Sequence, residues 1–175
     1  LNPLQEAVQP EGETDYKGIL EKISEIVKGL DVPVIVKETG AGIAAEEART
    51  LEAISVSGID VAGAGGTSWA AVEYYRAKKQ GSQLAQGLGD ALWDWGIPTA
   101  ISLVEVVQSV SLPVIASGGI RSGKDVAKAI ALGASLAGIA WPALAPALKG
   151  SAAVKETLNL LVDQLRSVMF LVGTD

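Results

Sequence analysis

Apolar residues occur along the chain in two kinds of run, and the two kinds alternate. Short continuous apolar runs, typical of strands buried on both faces, occupy residues 32–36, 58–62, 113–117 and 136–141. Around them, apolar residues recur every three or four positions, which predicts amphipathic helices. Strands that alternate with helices form a parallel sheet covered by helices. The pattern therefore predicts an α/β fold with four parallel strands.

The same spacing places the helices and leaves two stretches without a clear period. Helices are predicted over residues 17–30, 45–54, 69–79, 98–110, 124–132, 142–148 and 151–172. Residues 1–12 contain two prolines and are predicted to be a loop, because proline does not fit the interior of a helix or strand. Residues 80–96 contain four glycines, which predicts an insertion or a lid.

The stretch 113–123 joins a strand to a helix and carries the clearest candidate chemistry. Gly118 and Gly119 have no Cβ, so an anion can approach their backbone N–H groups. The helix that opens at Ser122 offers further N–H groups and a favourable dipole. An ordinary strand-to-helix turn, with glycines chosen for geometry, is the alternative. The strand 136–141 ends at the same place, which favours a phosphate site, because loops after the last two strands of (β/α)8 barrels commonly form one.

The number of strands leaves two architectures open for a single domain of residues 1–175. A closed (β/α)8 barrel typically needs about 250 residues, and this chain has 175. Four parallel strands leave two open edges and one uncovered face. The sheet is therefore either an open, doubly wound one or half of a barrel. The chain begins with Leu1 rather than Met, which suggests that something upstream has been removed.

Composition narrows the chemistry and the partners. The chain is 49% hydrophobic and 19% charged, with a net charge of −6, which argues against nucleic acid as a partner. It contains no cysteine and no histidine, so acid–base chemistry must come from carboxylates, Lys, Tyr or a cofactor. No apolar run is long enough to span a membrane, and the start does not resemble a signal peptide. A cytoplasmic protein is expected.

Five motifs, in this order along the chain, resemble those of one enzyme family. They are LNPLQEAVQPEG at 1–12, VKE at 36–38, GGTSW at 65–69, DWGIPTA at 94–100 and SGGIRSG at 117–123. Together they look like the C-terminal half of type 2 isopentenyl-diphosphate isomerases. The resemblance implies half of a (β/α)8 TIM barrel and an enzyme of isoprenoid synthesis. Such an enzyme interconverts isopentenyl and dimethylallyl diphosphates with FMN and Mg²⁺, and with NADPH as reductant.

The resemblance also implies roles for ten residues. Gln5 would contact the substrate, and Glu6 would bind Mg²⁺, which prefers a few carboxylates plus phosphate oxygens. FMN would be held by Lys37, Ala62, Thr67, Gly119, Ile120, Arg121, Ala140 and Trp141. Ala62 and Trp141 depart from the residues often found there, so only backbone contacts are expected from them. For Gln5, Glu6 and Lys37, the alternative is a solvated residue of a loop or strand end.

Other enzyme classes and a non-catalytic role are alternatives for the same residues. Hydroxy-acid oxidases place a catalytic His after the strand that here reads 60–66, and glutamate-synthase-like and inosine-monophosphate-dehydrogenase-like barrels need cysteines. The chain lacks both residue types, so its composition excludes all three as working enzymes, and only a relative of the FMN-dependent hydroxy-acid enzymes stays as an alternative. A half barrel that only binds phosphate or flavin, or associates with itself, is the other alternative. The expected partners are a small diphosphate substrate and either a second copy, in a homo-oligomer, or the N-terminal half of the same barrel.

Overall fold

The computed structural model describes residues 2–174. Its centre is one sheet of four parallel strands in the order β1 (Ile35–Lys37), β2 (Gly58–Asp60), β3 (Val114–Ala116) and β4 (Leu136–Ala137). Each strand lies beside the one that follows it in sequence, with one or more helices between them. A doubly wound sheet reverses its strand order at a switch point, and this sheet does not. The prediction of half a barrel is therefore confirmed over the open doubly wound sheet.

Helices surround the sheet wherever the apolar spacing predicted them. Across residues 2–174 they are α1 (Pro3–Val8), α2 (Ile19–Gly29), α3 (Ala45–Ala53), α4 (Trp69–Gln80), α5 (Gln83–Ala91), α6 (Thr99–Ser109), α7 (Gly123–Ala131), α8 (Trp141–Ala147) and α9 (Ser151–Val172). All seven predicted helices are present, and each begins and ends within two residues of its predicted bounds. The four strands are also present, and each is shorter than its apolar run.

The prediction of a loop over residues 1–12 is wrong for the helix α1. The Asn2 side chain accepts a hydrogen bond from the Gln5 N–H at 3.2 Å and so caps this helix. Pro3 follows at the first helical position, where its missing N–H would have had no partner in any case. The proline therefore begins a short helix here instead of preventing one.

The stretch 80–96, predicted to be an insertion or a lid, contains a helix that its glycines concealed. Ser82 caps α5 through its hydroxyl, and α5 packs against α4. Gly89 makes this packing possible, because a Cβ at that position would lie 2.8 Å from the Cβ of Tyr74. The glycine that weakens the helical pattern is therefore the one that lets two helices approach.

The core lies around the two inner strands and the helices that cover them. Its fully buried side chains include Ile59, Val61, Leu103, Val106 and Val114. The edge strands differ, because Ile35 on β1 and Leu136 on β4 are 53% and 62% exposed. Within residues 2–174, no helix combines the length and the apolar character that crossing a membrane requires. The sheet thus has two buried inner strands and two exposed edge strands, and the carboxyl ends of all four strands lie on the same side of the molecule.

Candidate functional site

A cavity of about 770 Å³ opens where the four strands end. Its walls come from residues within 37–40 after β1, 60–69 after β2, 117–121 after β3 and 138–141 after β4. In (β/α)8 barrels the carboxyl ends of the strands are the face that carries active sites. The fold therefore brings the polar residues that follow each strand into one place.

Two glycine loops form one wall of this cavity by packing on each other's backbone. Gly118 and Gly119 have φ values of +96° and +80°, a region that residues with a Cβ rarely adopt. A Cβ on Gly118 would meet the carbonyl oxygen of Gly63, and one on Gly119 would meet that of Gly65. The Thr99 hydroxyl donates to the Gly118 carbonyl at 2.6 Å. The glycine pair is thus required by contact between the loops after β2 and β3.

The same wall presents hydrogen-bond donors to the cavity. The backbone N–H groups of Gly119, Ile120 and Ala140 have no hydrogen-bond partner among residues 2–174. The guanidinium of Arg121 is exposed and donates to the Gly65 carbonyl at 3.3 Å. Backbone N–H groups beside an arginine form a donor set that suits a phosphate group. The structure therefore fits an anion at this wall.

The N-terminus of α7 contributes less to the anion site than its sequence position suggested. The Asp125 carboxylate accepts hydrogen bonds from the Ser122 hydroxyl at 2.8 Å and the Arg121 N–H at 3.2 Å. These bonds hold the pKa of Asp125 below its usual value, and the bond from the Ser122 hydroxyl has the largest effect. The Gly123 N–H donates to the side chain of Gln164 at 2.8 Å. The protein's own groups thus occupy the N–H groups of Gly123 and Asp125 at this helix end, and the cavity-lining donors without a partner in residues 2–174 lie in the loops.

A buried carboxylate forms the polar floor of the cavity. One oxygen of Asp60, Oδ1, accepts from the Ser117 hydroxyl at 2.6 Å and from the Ala62 N–H at 3.2 Å. Its other oxygen, Oδ2, lies 3.9 Å from Nζ of Lys37, and Nζ also donates to the Glu38 carbonyl at 2.8 Å. Ala62 adopts φ +37°, which is uncommon for a residue other than glycine. Its bond to Asp60 holds it there.

Eight of the ten residues that the sequence singled out line this cavity together. They are Lys37, Ala62, Thr67, Gly119, Ile120, Arg121, Ala140 and Trp141. Gln5 and Glu6 lie on α1 and are not among the lining residues. The structure thus groups the candidate flavin contacts, and the individual roles stay predictions.

Gln5 belongs to a chain of polar contacts that ties α1 to α4. Its Nε2 donates to Oε1 of Glu73 at 2.7 Å, and Glu73 is buried. Arg76 donates to the other oxygen of Glu73 at 3.3 Å and also contacts the carboxylate of Glu11. The hydrogen bond from Arg76 is the main reason why the pKa of Glu11 is lowered. The side chain of Gln5 is thus held in one orientation.

Glu6 is held by the segment that follows α1. Its Oε2 accepts from Nε2 of Gln9 and from the Glu13 N–H, both at 2.8 Å, which leaves Oε1 without a recorded partner in residues 2–174. Tyr16 lies nearby, where burial and the charges of Glu6 and Glu13 raise its pKa. No group of three potential metal-ligating side chains occurs among the described residues. A cation at Glu6 would therefore need ligands from elsewhere, such as a bound diphosphate.

Sequence reasoning missed Asp60, Ser117 and Thr99 as parts of the site. Asp60 did carry a signal, because it is a charged residue inside an apolar run that predicts a buried strand. A buried carboxylate needs partners, and the two that donate to it are Ala62, just after its own strand, and Ser117, just after the neighbouring strand β3. No spacing rule could have pointed to the role of Thr99, which supports the cavity wall from the start of α6 by donating to the Gly118 carbonyl.

Comparison with known proteins adds a family to this geometry. Residues 7–175 match the family model described as FMN-dependent dehydrogenase. The chain belongs to this family. The isopentenyl-diphosphate delta-isomerases of Methanothermobacter thermautotrophicus and Pyrococcus furiosus are 59% and 55% identical to it. Those matches cover 100% and 99% of this chain but 48% and 43% of the relatives. The resemblance drawn from the five motifs is confirmed, and the chain spans about half the length of the curated relatives it matches.

Solved structures of mandelate oxidase share the fold. A variant of that oxidase with a monooxide FMN adduct is 31% identical, with a TM-score of 0.63 over 89% of this chain and 42% of the oxidase. A crystal structure of mandelate oxidase itself is 32% identical, with a TM-score of 0.63, and 38% of it is covered. Less than half of each oxidase is matched, in keeping with four strands of an eight-stranded barrel. The family and these neighbours confirm the C-terminal half of a (β/α)8 barrel.

Proposed function

We propose that this chain is the flavin-binding half of an isopentenyl-diphosphate delta-isomerase and that FMN binds in the 770 Å³ cavity. The observation that carries the proposal is the convergence of eight candidate flavin contacts on one cavity at the carboxyl ends of the strands. Relatives that are more than half identical carry the isomerase name. The substrate would be a small isoprenoid diphosphate.

The donors and charges of the cavity fit the two ends of FMN. The phosphate would accept hydrogen bonds from the N–H groups of Gly119, Ile120 and Ala140 and from the guanidinium of Arg121, which are available for such bonds. Lys37, at the end of β1, would place its ammonium beside the flavin ring and stabilise negative charge there. Thr67 would contact the flavin from the loop after β2.

Proton transfer to and from the substrate is the chemistry that FMN would supply when bound, since the chain has no histidine or cysteine. NADPH would keep the flavin reduced. Gln5, oriented by Glu73, would contact the substrate. Glu6 would offer Oε1 to Mg²⁺, with diphosphate oxygens completing the ligand set. The cytoplasm is the proposed location.

A flavin-binding or phosphate-binding half barrel without isomerase activity is the second candidate. The exposed apolar residues on the edge strands β1 and β4 favour it, because such edges indicate that further strands are needed for a closed barrel. Those strands would come from a second copy of the chain or from the N-terminal half of the same barrel. Binding of FMN without turnover of isopentenyl diphosphate would favour this candidate.

Comparing FMN with riboflavin tests the proposed site, because riboflavin lacks the phosphate. Affinity is measured by flavin fluorescence for the unsubstituted protein, for Arg121→Met and for the control Lys124→Met, whose side chain is exposed outside the cavity. A hydrogen bond to a charged group contributes about 1.5–3 kcal/mol, so Arg121→Met is expected to weaken FMN binding roughly tenfold or more. Riboflavin binding should be unchanged. Equal losses for both ligands, or for both variants, would contradict the phosphate assignment.

Isomerisation is then assayed with isopentenyl diphosphate, FMN, NADPH and Mg²⁺. Formation of dimethylallyl diphosphate by the flavin-loaded protein supports the isomerase. If FMN does not bind at a concentration that saturates a related isomerase, the proposed function and the flavin-binding form of the second candidate are both contradicted.

A further inference from the structure

The ends of three neighbouring strands meet at one carboxylate, that of Asp60. Lys37 ends β1, Ala62 follows β2 and Ser117 follows β3. Each places a polar group on Asp60, which is only 7% exposed and lines the cavity. A buried carboxylate requires such partners, but an uncharged amide oxygen at the end of β2 could also accept the bonds from Ser117 and Ala62. We therefore look for the reason for a carboxylate at this position in the cavity that Asp60 lines.

The two oxygens of Asp60 have separate tasks. Oδ1 accepts both hydrogen bonds, from Ser117 at 2.6 Å and from Ala62 at 3.2 Å, and these orient the carboxyl group. Oδ2 takes part in neither bond and faces Nζ of Lys37 at 3.9 Å. The side chain of Lys37 is about half exposed, so the position of its ammonium depends on two contacts, one with Oδ2 of Asp60 and one with the Glu38 carbonyl.

The other nearby carboxylate does not compete for this ammonium. Oε2 of Glu38 accepts from the N–H groups of Gly40 and Ala41, both at 2.5 Å, and closes the turn after β1. Lys37 touches Glu38 only through the backbone carbonyl of that residue. Asp60 is therefore the carboxylate that can hold the Lys37 ammonium toward the cavity.

We propose that Asp60 is a positioning residue that fixes the ammonium of Lys37 at the cavity floor, where it meets the flavin ring. The inference deepens the proposed function and rests on it for the identity of the group that Lys37 meets. Asp60 acts through Lys37, whose ammonium faces its Oδ2 at 3.9 Å, while the two hydrogen bonds to Oδ1 orient the carboxyl group. Ser117 supports the arrangement, because its hydroxyl makes the shorter of those bonds.

Asp60→Asn tests the ion pair with little change to the sheet. The Asn oxygen can still accept from Ser117 and Ala62, while its amide nitrogen replaces Oδ2 and cannot pair with an ammonium. The flavin-free protein is treated with limiting acetic anhydride, and each lysine is quantified by peptide mass spectrometry. Acetylation of Lys37 is expected to rise several-fold in Asp60→Asn, with other lysines unchanged, and to stay the same in the control Glu38→Gln. Unchanged acetylation of Lys37, or an equal rise at every lysine, would overturn the proposal.

The potential of bound flavin provides the second readout, through a double-mutant cycle. Loss of a cation beside the ring disfavours the reduced, anionic flavin, so Lys37→Met should make the two-electron potential more negative. If Asp60 acts by positioning Lys37, Asp60→Asn shifts the potential in the same direction and adds nothing in the Lys37→Met background. A shift to a more positive potential would show that the charge of Asp60 acts directly and would overturn the proposal. If FMN does not bind the unsubstituted protein, the proposed function fails, and the acetylation result still decides the role of Asp60.

Discussion

Gly119 shows how one residue can serve both the packing of the fold and the chemistry of its cavity. It has φ +80° and a backbone so close to Gly65 that a Cβ would collide with that carbonyl. Its N–H is one of the donors without a partner in residues 2–174. Both features depend on the same missing Cβ, so substitution should affect stability and anion binding together.

Comparing Gly119→Ala with Gly81→Ala separates two effects of adding a Cβ. One is the collision with neighbouring backbone, and the other is the cost of a left-handed backbone conformation. Gly81 has a similar φ, +76°, and nothing lies within 4 Å of a Cβ there. The left-handed conformation costs a residue with a Cβ about 1–2 kcal/mol, which is the expected loss in Gly81→Ala. Gly119→Ala should lose clearly more in the free energy of urea unfolding and should weaken FMN binding. Equal losses would show that the contact with Gly65 does not matter.

The pH dependence of stability should reveal the ionised Asp125. Its pKa is lowered by the Ser122 hydroxyl and by the N–H groups of Arg121 and Ser122, so the folded state favours the carboxylate form more than the unfolded chain does. This contribution is present above the unfolded value of about 3.9 and is lost as the pH falls through the lower folded value. Asp125→Asn should therefore unfold at lower urea near neutral pH, and its difference from the parent should shrink in acid.

Asp163→Asn is the matched control for this measurement. Asp163 pairs with Arg166 at 3.6 Å on α9, with both side chains mostly exposed, and such pairs contribute little to stability. Its unfolding midpoint should follow that of the parent at every pH. A constant difference between Asp125→Asn and the parent down to strongly acidic pH would contradict the role of the charge.

Residue by residue, the sequence predicted the cavity-lining residues better than those that hold them in place. Glycines, Lys37 and Arg121 stand in recognisable motifs directly after strands, and parallel strands bring such positions together. Asp60 and Thr99 instead contact residues that are distant in sequence. The Ser117 hydroxyl donates to Asp60, and the Thr99 hydroxyl donates to the Gly118 carbonyl, each at 2.6 Å. Contacts between residues 19 or 57 positions apart leave no local pattern, which is why they could not be predicted.

At the scale of elements, α5 offers two glycines in one helix with opposite structural roles. A Cβ on Gly87 meets nothing within 4 Å, whereas one on Gly89 lies 2.8 Å from the Cβ of Tyr74 and 2.9 Å from the Ala70 carbonyl. Alanine favours a helix over glycine by roughly 0.5–1 kcal/mol, so Gly87→Ala should stabilise the protein by about that amount. Gly89→Ala should destabilise it by about 1–3 kcal/mol, because α5 must move away from α4. Chemical unfolding of both variants tests this, and stabilisation by Gly89→Ala would show that the two helices can separate freely.

The elements that sequence reasoning missed have a common physical cause. In α1 and α5 the helix depends on a cap and on packing, through Asn2 and Ser82 and the contacts with α4. Short helices gain most of their stability from tertiary contacts. The spacing of apolar residues along the sequence does not reveal those contacts. Six of the seven predicted helices carry a long apolar stripe or stand between two strands, and their position was therefore evident from the sequence; the seventh, α8, is short and follows the last strand.

At the scale of the whole molecule, the inner strands β2 and β3 are paired on both sides, whereas β1 and β4 are edge strands. Ile35 on β1 and Leu136 on β4 are exposed, and neither strand has a further neighbour within residues 2–174. Parallel sheets of α/β proteins are normally covered or closed, and unpaired edges tend to associate. The curated relatives are about twice as long as the chain, so a barrel built from this sheet has strands on both of these edges.

We therefore propose that the edge strands are covered by association, either with a second copy of the chain or with the N-terminal half of the barrel. Analytical ultracentrifugation of the chain by itself should show a dimer or a larger species. Charges on an edge strand oppose pairing, so Ile35→Lys and Leu136→Lys should each shift the protein toward monomer. Leu84→Lys is the control, since Leu84 is 82% exposed but lies on α5, away from the sheet. If Leu84→Lys changes the oligomer as much as the edge variants do, the contact lies elsewhere. A parent protein that is a monodisperse monomer and still converts isopentenyl diphosphate would show that four strands suffice, because neither edge would then need a partner.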